Sequence, residues 1–144
     1  MSDSTLEANK DIFRKWFQEA WNKGNFDVAE ELIDPDFKVH GAGGQVVPTG
    51  VEGVKQLVQA WRTAFPDGQM EVHDLIAEGD RVVALLTWRG THLGDFSGIA
   101  PTGKKVVVTS IGIDRIENGK ITEGWGELDM LGMMQQLGVV PALW

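Results

Sequence analysis

The chain contains no cysteine. Without thiols there is no disulfide framework, no thiolate nucleophile, no Cys-type zinc site and no iron–sulfur cluster. Tyrosine is also absent, which removes the phenol as an acid or an oxyanion donor. Positive charge is scarce: 13 Lys and Arg stand against 21 Asp and Glu, for a formal charge of −8. A surface of that sign is repelled by phosphate backbones and anionic lipid, so neither nucleic acid nor a membrane is expected as a partner. No apolar run approaches the ~20 residues of a membrane-spanning helix. The polar first residues lack a signal-peptide core. These absences point to a cytoplasmic protein. What is present fits one domain over 1–144, long enough to bury a core without staples. Tryptophan is abundant, with six residues. Some must fill the core, and the number leaves enough to line a cavity for a flat ligand.

Apolar spacing and breakers divide the chain. Ile12, Phe13, Trp16, Phe17, Ala20 and Trp21 recur three and four residues apart, which predicts a helix over 5–23 stopped by Gly24. A short helix is expected over 26–33, ended by Pro35, then a strand over 37–40 and a glycine-rich loop over 41–50. Val54, Leu57, Val58, Trp61 and Phe65 mark a helix over 52–65. Beyond it the pattern is strand. Segments 70–78 and 81–92 flank Gly79-Asp80, and 105–117 and 121–130 flank Asn118-Gly119, two hairpin signals. A helical tail is expected over 131–137. Helices followed by antiparallel strands argue for an α+β fold with helices on one side of a curved sheet.

With Asn118-Gly119 as the turn, Glu117 pairs with Lys120 and a regular register follows. Gly112 then faces Trp125, Ser110 faces Glu127 and Val108 faces Asp129 on a mixed face, while Ile111, Ile113 and Leu128 lie on the apolar one. The mixed face has two readings. It is a solvated surface carrying ordinary charges, or it is a cavity wall, favoured by the indole laid over a glycine. In the second reading the apolar face meets another layer, such as a partner subunit. Along 81–92, Val82, Ala84, Leu86, Trp88, Gly90 and His92 share one face, which runs from apolar to polar.

Few catalytic constellations survive inspection. His40, His73 and His92 lack metal-ligand spacing, so no metal is expected. The glycines at 41–44 are not a dinucleotide fingerprint, and neither a P-loop nor a nucleophile elbow occurs. What remains is acid/base chemistry by carboxylate and imidazole without a cofactor, or binding alone.

The run Gly90-Thr91-His92, then Phe96, Gly98 and Pro101-Thr102-Gly103-Lys104, resembles the central signature of SnoaL-like polyketide cyclases (ester cyclases). The likeness continues through Arg115-Ile116, Asn118-Gly119-Lys120-Ile121, Glu123, Trp125 and Asp129 to Gln135-Gln136-Leu137-Gly138. It includes Asn22-Lys23-Gly24-Asn25 and the segment from Gly50 to Phe65-Pro66-Asp67, and so covers nearly the whole chain. This resemblance implies the nuclear-transport-factor-2-like fold, a cone-shaped α+β barrel with a curved sheet closed on one side by N-terminal helices. It also implies a deep apolar pocket and a homodimer.

By match to the family, Asp129 is the general acid/base of an intramolecular aldol closure, its pKa raised by an apolar pocket. His40 occupies the place of the base in ketosteroid isomerases, a positional likeness only. On this reading His40 or His92 donates to the developing oxyanion. Trp88, Trp125 and Trp61 hold a hydrophobic, polycyclic substrate, and Glu127 is a solvated neighbour or a partner that raises Asp129 further. The alternatives are a binding protein without chemistry, or an isomerase, dehydratase or hydrolase using the same pocket.

Overall fold

The computed structural model describes residues 2–41 and 46–141. The predicted first helix is present as α1 (Asp3–Trp16), continued by a π-helical segment, Phe17–Asn22. The Ser2 hydroxyl opens α1 by accepting the Thr5 N–H at 3.3 Å, a standard N-cap. The apolar stripe running through α1 and the π-helical segment buries Phe13, Trp16, Phe17 and Ala20. Gly24 ends the run with a φ of 71°, a conformation that favours glycine.

Asn22 closes the π-helical segment and ties it to the sheet. Its carboxamide donates to the Met70 carbonyl at 3.0 Å and accepts the Met70 N–H at 2.6 Å, as a neighbouring strand would. Asn22→Ala strands both backbone groups, so a loss of about 1–2 kcal/mol is expected in urea denaturation.

Next come α2 (Val28–Leu32), β1 (Ile33–His40), β2 (Val46–Pro48) and α3 (Gly50–Ala64). The glycine-rich stretch at 42–45 and Trp144 lie outside the described residues. The remaining elements are β3 (Gln69–Glu78), β4 (Arg81–Thr91), β5 (Lys105–Glu117), β6 (Lys120–Leu128) and α4 (Met130–Leu137). Both predicted hairpins form, with Gly79, Asn118 and Gly119 at positive φ in their turns.

The six strands make one sheet in the order β2-β1-β6-β5-β4-β3. Every pairing is antiparallel except β1 with β6. The helices cover one face, giving the expected α+β architecture. Val82, Ala84, Leu86, Ile116 and Ile121 meet Phe13, Trp16 and Phe17 there in one core cluster. A second cluster joins Phe65, Trp88, Phe96, Val106, Val108 and Met133.

The register of the last hairpin differs from the regular one. Glu117 pairs with Lys120 and Ile116 with Ile121, as expected, but Arg115 pairs with Glu123. Thr122 is an extra residue, a β-bulge, and beyond it every side chain of β6 changes face. Gly112 therefore faces Gly126 rather than Trp125, and Ser110 faces Leu128 rather than Glu127. The helix-covered face receives Gly124, Gly126 and Leu128. Trp125 and Glu127 go to the outer face with Ile111 and Ile113.

Candidate functional site

The inner face of β5 reads Val106, Val108, Ser110, Gly112, Asp114 and Ile116. Asp114 pairs with Val82 on one side and Gly124 on the other. A Cβ on Gly124 would come within 2.8 Å of Asp114 Oδ1 and 3.4 Å of Phe37 Cζ. The carboxyl thus fills the space a glycine leaves, beside a phenyl ring. It keeps some accessible surface although protein packs around it. No hydrogen bond or ion pair to its side chain is present among the described residues. Burial alone pushes the Asp114 carboxyl up to about 7, because a poorly hydrated site disfavours the charged form.

Toward the end of β6 the inner wall is bare. Gly112 and Gly126 lie side by side, and a Cβ on Gly126 would meet no atom within 4 Å. Ser110 and Leu128 flank this open strip. Asp114 was not among the residues singled out in the sequence. The signal was available: alternation along β5 carries the face of Val108, Ser110 and Gly112 directly to Asp114.

The residues that were singled out lie in three separate places. Asp129 follows β6 at the exposed start of α4. Its Oδ1 accepts the Gly132 N–H at 2.9 Å, so the carboxylate caps that helix. The expectation that Asp129 lines a dry pocket therefore gives way: the bulge shifts the register so that Asp129 donates its backbone N–H to Thr109 rather than lying opposite Val108, and its side chain is exposed. Glu127 is likewise exposed.

His40 and Trp125 share the outer face. Their rings stack with centroids 4.8 Å apart and planes 8° apart. His40 Nε2 lies 2.6 Å from Glu123 Oε2, and Arg115 Nη1 donates to Glu123 Oε1 at 3.0 Å. Arg81 lies over the Trp125 ring at 5.1 Å. The cavity placement expected for His40 and Trp125 is corrected by the same register, since β1 runs parallel to β6 with His40 opposite Trp125. The bonds to His40, Arg115 and Lys38 hold the Glu123 carboxyl below its usual range, His40 contributing most.

Trp61, Trp88 and His92 gather around Phe65, with ring centroids 5.9, 6.2 and 5.5 Å from it. Trp88 and His92 are fully packed, at 2% and 0% exposure. His92 Nδ1 accepts the Thr102 N–H at 3.2 Å, which places the proton on Nε2 and ties down the 93–103 loop. Among the described residues no cluster of His, Asp and Glu has the makings of a metal site, and no helix is long and apolar enough to cross a membrane.

Comparison with known proteins agrees with this architecture. The family model for SnoaL-like polyketide cyclase matches residues 11–137. The nogalonic acid methyl ester cyclase of Streptomyces nogalater is 30% identical over 120 residues, covering 83% of this chain and 90% of that one. The aklanonic acid methyl ester cyclase DnrD of Streptomyces peucetius is 29% identical over 135 residues, 92% of each chain. Among solved structures, TsrD from Streptomyces laurentii superposes with a TM-score of 0.80 at 27% identity, over 97% of this chain and 99% of that one. On its sequence and its fold together, the chain belongs to the SnoaL-like polyketide cyclase family.

Proposed function

We propose that this protein is a cofactor-independent cyclase that closes a ring in a hydrophobic, ester-bearing polyketide by intramolecular aldol addition, with Asp114 as general acid/base. The observation that carries the proposal is an interior carboxyl with no partner, set beside an inner strip of glycines. The relatives named as methyl ester cyclases support the substrate class. A carboxyl poised near neutrality exchanges protons efficiently in both directions at working pH.

In the proposed step the Asp114 carboxylate removes a proton from a carbon flanked by carbonyls. The enolate carbon attacks a ketone carbon of the same molecule, the carbonyl electrons pass to oxygen, and Asp114 returns the proton to that alkoxide. The glycines leave room for a flat skeleton, and confinement in a folded shape supplies much of the acceleration. Trp88, Trp61 and His92 form the wall of packed rings beneath the neighbouring helices, outside direct proton transfer.

The test is turnover of nogalonic acid methyl ester, followed by chromatography of the product. Asp129→Asn is expected to retain activity, and kcat/KM of the wild type is expected to rise through a single group near pH 7. Binding shown by tryptophan quenching without product would make the protein a ligand carrier instead.

A homodimer belongs to the same proposal. The outer sheet face exposes Ile76, Leu85, Val107 and Ile111 at 61%, 45%, 43% and 56%, an apolar surface suited to a second copy. Ile111→Asp is expected to yield a folded monomer in light scattering; an unchanged mass would place the interface elsewhere. A cytoplasmic location completes the proposal, as that is where such a cyclase would meet a newly assembled polyketide.

A further inference from the structure

Burial along the inner face of β5 is uneven. Val106 and Val108 toward one end and Ile116 toward the other are buried. The three inner residues between them, Ser110, Gly112 and Asp114, all keep accessible surface. A central strand beneath helices is normally sealed along that face, so the accessible middle marks a hollow that solvent enters. On β6 the same hollow is bare. Gly126, opposite Gly112, and Leu128, opposite Ser110, are both exposed.

A Cβ on Gly112 would find only the Trp125 carbonyl oxygen at 3.6 Å and Leu86 Cδ1 at 3.8 Å, ordinary contact distances, and one on Gly126 would find nothing. Neither β5 nor β6 thus puts a side chain between Ser110 and Asp114. Glycine inside a strand costs stability and often marks the close approach of something else. Two of them side by side, each with room for a side chain, point to a guest rather than to a packing need. Asp114 stands at the inner end of the strip, beside buried Gly124 and Phe37. Ser110 stands at the open end, four residues and roughly 13 Å away. Its hydroxyl, like the Asp114 carboxyl, has no hydrogen-bond partner among the described residues.

We infer that Ser110 is a substrate-binding residue, donating its O–H to an oxygen at the far end of a ligand whose reacting carbon lies against Asp114. This rests on the cyclase reading for its chemistry. Ser110 is too far from Asp114 to touch the reacting carbonyl, so it takes no part in proton transfer. It fixes how far the skeleton slides along the glycines, and with that which C–H meets the carboxylate. The ligand class is therefore an extended, fused-ring polyketide with an oxygen remote from its acidic carbon. A single-ring ketoester is too short to reach both groups.

Kinetics with nogalonic acid methyl ester test the inference. Ser110→Ala is expected to raise KM about fivefold, the worth of one uncharged hydrogen bond, with kcat and the pH midpoint unchanged. Ser110→Thr keeps the hydroxyl and should restore KM. Gly126→Val fills the strip and suits a strand better than glycine, so its urea midpoint should equal or exceed that of the wild type. Its kcat/KM is expected to fall about 100-fold, because the skeleton can no longer lie in place. A wild-type KM in Ser110→Ala, or a wild-type kcat/KM in Gly126→Val, would overturn the inference while leaving Asp114 in place. Gly126→Ala, the smaller filler, decides in the same way if valine prevents folding.

Should the wild type bind the ester without converting it, the cyclase reading fails and dissociation constants from tryptophan quenching decide. Weaker binding by both Ser110→Ala and Gly126→Val sustains the site, and equal binding by either overturns it. A wild type that neither binds nor converts the ester overturns both readings.

Discussion

Replacing Asp114 by Asn is expected to stabilise the protein at pH 8 by about 4–5 kcal/mol and to abolish turnover. The first half follows from linkage. The native carboxyl titrates at about 7, whereas an ordinary Asp titrates at 3.8, and each unit of displacement is worth about 1.4 kcal/mol. Between those two values the native state holds a proton that the unfolded chain has released, so stability falls as pH rises. The penalty is absent below about pH 4 and complete above pH 7. Asparagine cannot ionise, so its advantage should be full at pH 8 and vanish near pH 4. Urea midpoints at the two pH values decide the matter: a gain that does not change with pH would mean that Asp114 is not the group ionising in the interior. Loss of turnover in a variant more stable than its parent is the pattern expected of a residue kept for chemistry.

The second large effect lies on the opposite face. Glu123 accepts from His40 and Arg115 and lies 3.8 Å from Lys38. Although other side chains screen it to 9% exposure, they form a single layer at the sheet surface, so its bonds are worth less than deep ones. Glu123→Ala removes two charge-assisted hydrogen bonds and leaves three cationic or ionisable groups facing one another; a loss of about 3 kcal/mol at pH 7 is expected. The pH dependence runs opposite to that of Asp114. A carboxyl held below its usual 4.5 contributes stability above that value, and the contribution disappears as pH falls through the lowered native value. Well below that lowered native value the variant and the wild type should unfold at similar urea concentrations. A difference that persists there would assign the effect to packing against Trp125.

The architecture was largely legible in the residues because it depends on repeated, redundant signals. Six apolar residues spaced for a helix specify α1 and the π-helical segment that continues it, and two glycine-containing turns with positive φ specify the hairpins. No single residue there decides the outcome. The functional wall was less legible because it hangs on one residue. The chemistry of Asp129 and Trp125 suited a cavity, and a regular register placed them in one; the bulge at Thr122 has no strong sequence mark and reverses that assignment. His40 was placed only by its position in the first strand, a likeness that says nothing of its face, and its stacking on Trp125 puts it on the outer side. Asp114 belonged to a strand whose register was read correctly, and only the alternation two residues past Gly112 was needed to find it.

That extra residue in β6 has an evolutionary corollary. Inserting or deleting one amino acid near the start of the strand exchanges its entire inward and outward sets while both hairpin ends stay where they are. A one-residue change in length there therefore decides whether Trp125 or Gly126 faces the interior, and with it how open that wall is, with no new fold required.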